Sequence, residues 1–223
     1  MRKFSPATLL CMALTVTTVP AAFAADTADS NYTTCMAAIQ EQKVIQDQAH
    51  QTAESLRQKG YDDSSAYIQA AQSTWWAAQD EIVAYQKLSQ YTDEDIRILT
   101  TAVFYEAGHT TEQLREYVAQ VVLNRVADSR FPDTVKGVIT QPGQYATKYA
   151  TQAATDSIKS ADSQNGTYYY AMCEAAVKKA MMGQVDMPSN VLYQANFAQG
   201  KGVWQSVYFN SGWYASTSYF CYG

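Results

Sequence analysis

One glutamate of the sequence stands where it could do acid–base chemistry. Residues 93–107 have the pattern of a helix, and one face of it carries Ile96, Leu99 and Val103. The next position on that face is Glu106. A carboxyl group there is partly desolvated, and it lies in the last helical turn, where the helix dipole disfavours negative charge. Both effects raise the pKa of a carboxyl group, as a general acid near neutral pH requires.

A structural role for Glu106 accounts for the same pattern. At a frayed helix end its side chain can turn to solvent, or it can form an ion pair with Arg125 of the following helix. Structural ion pairs perturb carboxyl groups as catalytic sites do. The residues alone therefore leave both interpretations open.

The sequence contains few signals of a metal site, a nucleophilic serine or cysteine, or a phosphate-binding loop. The chain has only 2 histidines, His50 and His109, and neither an HExxH nor a CxxC pattern, which disfavours a zinc site. It also lacks a GxSxG nucleophile motif and a phosphate-binding glycine loop. Cys173 lies among Ala, Met and Tyr in a predicted helix, a setting typical of a structural thiol. We therefore expect neither a metal nor another cofactor.

The elements around Glu106 follow from capping signals and from periodicity. Thr92 is a candidate cap for the helix at 93–107, whose first turn holds three acidic residues that complement the helix dipole. The other predicted elements are a helix at 111–127, a loop with one helical turn at 131–145, a polar surface loop at 151–167, a helix at 168–182, and short strands at 190–197, 203–209 and 213–222. This pattern predicts a mainly helical α+β fold with a small antiparallel β element.

An export signal is predicted at residues 1–24. Two basic residues precede an apolar run, and Ala22, Phe23 and Ala24 form a small-x-small cleavage site. The run is interrupted by polar residues and is shorter than the roughly 20 residues that span a bilayer. We therefore expect a secreted or cell-wall-associated protein with no membrane span after signal cleavage.

Residues 25–90 are predicted to form a helical hairpin ahead of a second domain, assigned to residues 91–223, which contains Glu106. The two helices are expected at 31–58 and 63–90, on either side of a turn around Gly60. The apolar stripe of the hairpin is either core or a surface that binds a partner protein or the cell wall. The sequence leaves this choice open.

The charge balance restricts the partners. The chain contains 16 basic and 21 acidic residues, a formal net charge of −5, which disfavours nucleic-acid binding through a basic face. The 17 tyrosines and the low charged fraction of 17% suit an uncharged, sugar-like partner better than a phosphate.

Three cysteines remain beyond the predicted signal, namely Cys35, Cys173 and Cys221. An exported protein meets oxidising surroundings, so a disulfide is a reasonable expectation. We prefer the Cys173–Cys221 pair because both residues lie in the same predicted domain. The alternative is that all three thiols are free.

Several stretches resemble the cell wall hydrolases of the spore cortex-lytic type (SleB-like). The resemblance covers roughly residues 92–223 and is carried by AVFYEAG, VAQVVLNRV, FPDTVKGVITQPGQY, CEAAVKKAMMG, NVLYQANF and the terminal YFCYG. It implies a lysozyme-related fold and cleavage of peptidoglycan glycan strands between N-acetylmuramic acid and N-acetylglucosamine. It also implies that Glu106 is the catalytic acid of a lytic transglycosylase.

The resemblance further implies candidate substrate contacts. Structural roles stay open for them, since the glutamines can stabilise a turn and a tyrosine in a strand is as often part of the core. Gln141, Gln144 and Tyr145 match the QPGQ segment of the family, and Tyr193 and Gln194 match its aromatic strand near the groove. Tyr105 and His109, on either side of the helix end, complete the set of candidate substrate contacts.

The sequence departs from the family pattern beside Glu106. Tyr105 replaces a common Gly, and Gly108, His109 and Thr110 replace a common Arg-Gly-Glu. The missing acid at Thr110 favours a one-carboxylate mechanism, in which Glu106 protonates the glycosidic oxygen and then deprotonates the C6 hydroxyl of the muramic acid. Other acids that a two-carboxylate mechanism could use are Asp128, Asp133 and Asp156.

Two further functions remain as alternatives. The departures beside Glu106 are compatible with a catalytically weak or inactive protein that binds the cell wall or a partner on the same fold. An amidase that cuts the peptide stem is disfavoured by the shortage of histidines and of metal ligands.

Overall fold

A computed structural model describes residues 30–160, 164–210 and 215–223. By its internal contacts the chain divides into two compact units, with the boundary between Ile82 and Val83. The predicted export signal lies outside the described residues. Within the ranges given, no helix is both long and apolar enough to cross a bilayer.

The first unit contains the predicted hairpin. Helix α1 (Ser30–Gln58) precedes helix α2 (Ala66–Leu88), whose last residues from Val83 onward belong to the second unit. The two helices of the hairpin are joined by a hydrogen bond of 3.0 Å from the Gln46 amide to Gln79. The second helix starts later than predicted because Asp62 caps a turn by accepting a 2.9 Å hydrogen bond from the Ser64 backbone amide.

The second unit holds the remaining described elements. In chain order they are helices α3 (Asp93–Ala107), α4 (Glu112–Ala127) and α5 (Val135–Thr140), a 3-10 turn (Thr147–Ala150), helices α6 (Gln152–Ser160) and α7 (Gln164–Met181), and strands β1 (Val191–Ala195), β2 (Val203–Asn210) and β3 (Ala215–Tyr222). The fold is mainly helical α+β, as the sequence predicts.

The surface loop predicted for residues 151–167 is wrong. Helix α6 and the first turn of α7 occupy most of that range. Thr155 of α6 is buried, and its hydroxyl forms a 2.8 Å hydrogen bond with the hydroxyl of Thr101 on α3. Arg97 on α3 also donates to the Thr155 hydroxyl at 3.1 Å. Docking on α3 therefore stabilises a helix whose own sequence is largely polar.

The core of the second unit is formed where α3, α4 and α7 pack against one another. Its fully buried side chains include Leu99, Val103, Val118, Val122 and Val177. The three strands form an antiparallel sheet in the order β1-β3-β2, which confirms the predicted β element. Strand β1 packs on α4 and so ties the sheet to the helices.

The predicted Cys173–Cys221 disulfide is wrong for this structure. None of Cys35, Cys173 and Cys221 forms a disulfide, and all three side chains are buried. Cys173 lies inside α7, where burial raises the pKa of its thiol to about 12. Each thiol is thus a small apolar group of the interior rather than half of a covalent link.

Candidate functional site

Helix α3 carries Glu106 to the edge of the core. The helix begins with a capping box, in which Thr92 and Asp95 bind each other's backbone amides. Its buried face then carries Ile96, Leu99 and Val103. Glu106 continues that face in the last turn, where its side chain opens to solvent.

A groove in the second unit brings Glu106 together with residues from five other segments. Its cavity volume is about 450 Å³. Besides Glu106 it is lined by Arg125 of α4, by Gly143, Gln144 and Tyr145 of the loop after α5, by Tyr193, Gln194, Ala195, Asn196 and Gln199 of β1 and the loop after it, and by Phe209, Ser216 and Ser218 of the sheet. Among the described residues that line this groove, Glu106 is the only carboxylate.

The pKa of Glu106 is raised, in the direction predicted from its position. Burial by the surrounding protein is the larger cause, and a hydrogen bond with the Tyr149 side chain acts in the opposite direction. The structure shows no ion pair between Glu106 and Arg125, so the structural pairing considered for them is not formed among the described residues. Glu106 is thus a partly desolvated carboxyl group that has a hydrogen bond but no ion pair among the described residues.

Tyr149 is held beside Glu106 by a stack of side chains. Its ring is parallel to that of Tyr105, with 4.7 Å between the centroids and 7° between the planes. The Lys148 ammonium lies 5.5 Å from the centroid of the Tyr105 ring on α3. Tyr105 is therefore a support for Tyr149, and it does not line the groove. Burial and the nearby Glu106 raise the pKa of the Tyr149 hydroxyl, which keeps that hydroxyl a hydrogen-bond donor.

The QPGQ segment presents Gln144 and Tyr145 through a tight turn. Gly143 has a φ of +77°, which favours glycine, and the Gln144 backbone amide donates to the Gln141 carbonyl at 3.2 Å. Both Gln144 and Tyr145 line the groove. Gln141 does not line it; its Oε1 atom is buried and has no hydrogen-bond partner among the described residues.

Strand β1 places Tyr193 and Gln194 on the groove wall because α4 binds its backbone. The Asn124 amide donates to the Val191 carbonyl at 2.9 Å, and the Arg125 Nε donates to the Leu192 carbonyl at 2.7 Å. These two bonds fix the strand immediately before the two predicted contact residues.

His109 lies outside the lining of the groove. Its ring contacts the rings of Phe104 and Tyr169, at centroid distances of 5.7 and 4.3 Å. The structure thus brings Glu106, Gln144, Tyr145, Tyr193 and Gln194 together in one groove. The other predicted contacts, Tyr105, His109 and Gln141, do not line the groove.

The three candidate second acids do not line the groove. Asp128 binds Arg130 at 2.8 Å, and this partner lowers the pKa of Asp128 to about 2. Asp156 accepts a 2.8 Å hydrogen bond from Gln152 on its own helix. In the described part of the chain, no three His, Cys, Asp or Glu side chains converge as metal ligands would.

Sequence reasoning missed several residues of the groove lining, and it also missed Tyr149, which contacts Glu106. Ser216 and Ser218 are two positions apart on β3, so they share a face, and strand alternation was a signal that could have identified them. Tyr149 carries no such signal, since only the tertiary structure brings it to Glu106.

Comparisons with known proteins show similarity in the C-terminal part of the chain. A family model described as Cell Wall Hydrolase matches residues 111–217. Glu106 lies just before that match. No solved structure matches the chain.

Curated relatives point the same way. A spore cortex-lytic enzyme of Halalkalibacterium halodurans is 34% identical over 108 residues, which cover 42% of this chain and 33% of the relative. Spore cortex-lytic enzymes of Bacillus cereus and Bacillus subtilis are 34% and 27% identical, over 40% and 48% of this chain and 39% of each relative. The matches thus span between a third and two fifths of the relatives' length. Residues 111–217 of this chain thus match the cell wall hydrolase family model, and the chain is similar over this region to the spore cortex-lytic enzymes.

Proposed function

We propose that the second unit cleaves peptidoglycan glycan strands between N-acetylmuramic acid and N-acetylglucosamine, as a lytic transglycosylase. The observation that carries this proposal is that Glu106 is the only carboxylate among the described groove residues. Hydrolytic glycosidases normally need two carboxyl groups, about 5–5.5 Å or roughly 6.5–9.5 Å apart. A transglycosylase needs only one, because an internal hydroxyl of the substrate replaces water.

The reaction uses Glu106 twice. Its protonated carboxyl group gives a proton to the glycosidic oxygen, and the bond between that oxygen and C1 of the muramic acid breaks. The resulting carboxylate then takes the proton of the C6 hydroxyl while the C6 oxygen bonds to C1, which yields a 1,6-anhydro sugar and restores the acid. The raised pKa of Glu106 favours the protonated starting form.

The groove wall suits a sugar chain. Side-chain amides of Gln144, Gln194, Asn196 and Gln199 can bind hydroxyl and N-acetyl groups. Tyr193 offers a ring face on which a sugar can stack. All five of these side chains are uncharged, which suits a sugar backbone that carries little charge.

The names of the relatives suggest the substrate and the location. Because they are called spore cortex-lytic enzymes, we propose cortex peptidoglycan as the substrate and the cell wall as the site of action. We further propose that residues 1–24 direct export and that residues 91–223 form the catalytic domain. The hairpin at 25–90 is the part that would bind a protein partner.

The Glu106→Gln variant tests the role of the acid. Digestion of purified cortex by the wild type and by this variant is followed through the release of soluble glycan. We expect the variant to lose at least about 100-fold in rate, because a positioned general acid contributes that much.

The matched control is Glu112→Gln, since Glu112 is an exposed acid of α4 that pairs with Lys179 and does not line the groove. It should keep the wild-type rate. A Glu106→Gln variant with wild-type activity would exclude the proposal. An inactive wild type that still binds cortex would favour the wall-binding alternative, and release of free stem peptides would favour an amidase.

A further inference from the structure

A second charged residue of the groove has no role in the proposed reaction. Arg125 is only 4% exposed, yet it contributes to the groove lining. Its guanidinium carbon lies 5.4 Å from the centroid of the Phe131 ring, 5.6 Å from that of Tyr145 and 6.0 Å from that of Tyr193. The cation is therefore enclosed by three aromatic rings at the wall of the groove.

The contacts with the aromatic rings do not occupy the N–H donors of Arg125. A guanidinium has five N–H donors in its plane, whereas cation–π contacts involve the charge and the ring faces. Only the Nε donor has a partner, the Leu192 carbonyl at 2.7 Å. No hydrogen bond joins the two terminal nitrogens to any described residue.

Arg125 also has no counter-charge. None of the ion pairs of the described residues includes it, and the one carboxylate of the groove, Glu106, must be protonated to start the reaction. A buried cation is costly unless it is paired and hydrogen-bonded. The arrangement is that of a site completed by an anionic group from outside the chain.

The geometry points to a substrate carboxylate as that group. We propose that Arg125 binds a free carboxylate of the peptide stem attached to the muramic acid, so that the groove selects glycan strands that carry acidic stems. This inference rests on the proposed function and adds a recognised group to it. The planar fork of a guanidinium matches a carboxylate, which it can hold with two parallel hydrogen bonds.

The position of Tyr145 separates this contact from the reacting bond. The electrostatic effects of Arg125 and of Glu106 act on the Tyr145 hydroxyl with opposite signs, so Tyr145 lies within reach of both. A substrate held by Arg125 at its peptide stem would therefore place its sugar beside Tyr145, with Glu106 at the glycosidic oxygen.

The test measures binding without turnover, with the full chain carrying Glu106→Gln. The probes are N-acetylmuramyl-L-alanyl-D-isoglutamine, which has one free carboxylate, and its methyl ester, which has none. Both are titrated by calorimetry at the same ionic strength. We expect the ester to bind at least about tenfold more weakly, as the loss of one charge-assisted hydrogen-bonded pair implies.

A second variant connects the difference to Arg125. Adding Arg125→Gln should weaken binding of the acid to the level of the ester and leave binding of the ester unchanged. The matched control is Arg57→Gln in the hairpin, which should retain the full preference for the acid. Thermal unfolding of each variant checks that the bond to the Leu192 carbonyl can be lost without loss of the fold.

Two results would overturn the inference. If the acid and the ester bind equally well to the Glu106→Gln chain, Arg125 does not bind the stem carboxylate. The proposal that the substrate is a glycan strand would be unaffected. If Arg125→Gln weakens both probes by the same factor, its role is to hold β1. Failure of both probes to bind would overturn the inference together with the proposed glycan substrate.

Discussion

At the level of single residues, a substitution of Tyr149 tests whether the protonation state of Glu106 controls the reaction. Its side chain forms a hydrogen bond with Glu106, and that bond lowers the pKa of Glu106. In Tyr149→Phe the bond is lost while the ring stack on Tyr105 is kept. We expect kcat to fall by on the order of tenfold, because the carboxyl group is less well oriented. The high-pH limb of the kcat/KM profile should move to higher pH, because the pKa of Glu106 rises further.

The control for this variant is Tyr208→Phe, at an exposed position of β2 outside the groove lining. Its pH profile and kcat should equal those of the wild type. A Tyr149→Phe enzyme with an unshifted high-pH limb would show that the hydrogen bond does not tune Glu106.

Glu106 also makes stability depend on pH. Because its pKa is raised in the folded protein, the folded state binds this proton more tightly than the unfolded state does. The stability that this proton contributes is complete below the unfolded pKa of about 4.3, and it is lost as the pH rises through the folded pKa.

Glu106→Gln should therefore melt at a higher temperature than the wild type at pH 7–8, and the two melting temperatures should converge near pH 3.5. Thermal unfolding monitored by circular dichroism across this range makes the comparison. A difference in melting temperature that is the same at every pH would mean that the carboxyl group is not desolvated in solution.

At the level of single residues, the sequence predicted the position of Glu106 but not its neighbours. The apolar periodicity of α3 depends only on local spacing, so it placed the carboxyl group on the inward face. The contact with Tyr149 and the enclosure of Arg125 arise where distant segments meet. No local pattern encodes such contacts.

At the level of elements, the turn after α5 sets the position of Gln144. Gly143 has a φ of +77°, although nothing within 4 Å blocks an added Cβ atom. Gly143→Ala should therefore cost about 1–2 kcal/mol through backbone strain alone. Gly143→Asn should cost less, because asparagine tolerates this conformation better.

Urea unfolding of both variants measures the two costs, and cortex digestion shows whether the displaced Gln144 slows the reaction. Equal stability of the two variants would mean that the loop adopts another backbone conformation in solution.

The elements themselves were predicted with uneven success, for a physical reason. Helices α3 and α4 have strong caps at Thr92 and Thr111 and an apolar face, and the sequence located both. Helix α6 has few apolar residues, and its burial depends on Thr155 meeting Thr101 of α3. A polar stretch that becomes helical through a tertiary contact has the composition of a surface loop.

At the level of the whole molecule, chemical labelling of the cysteines tests whether any two of them form a disulfide. We expect all of Cys35, Cys173 and Cys221 to react with iodoacetamide when the mature protein is unfolded without a reducing agent, because none of the three forms a disulfide in the structure. Intact-mass analysis counts the added groups. A single added group would mean that two cysteines are linked, and reduction before labelling would then restore the other two.

The two units should also differ in their roles. A chain that starts at Val83 retains every groove residue, so we expect it to digest cortex with a kcat within about threefold of the full-length enzyme. The helical hairpin by itself should have no activity. Loss of cleavage in the shortened but folded chain would assign the hairpin a part in catalysis.

The central claim is that Glu106 cleaves the glycan without water as the nucleophile. It is tested most directly by asking whether oxygen from water enters the product. Cortex is digested by the wild type in water enriched in oxygen-18, and the soluble muropeptides are analysed by mass spectrometry. A single-acid transglycosylase run by Glu106 predicts anhydro-muropeptides without the heavy oxygen, and none from Glu106→Gln. Reducing muropeptides that carry the heavy oxygen would contradict the account, because they require water as the nucleophile and a second group to activate it.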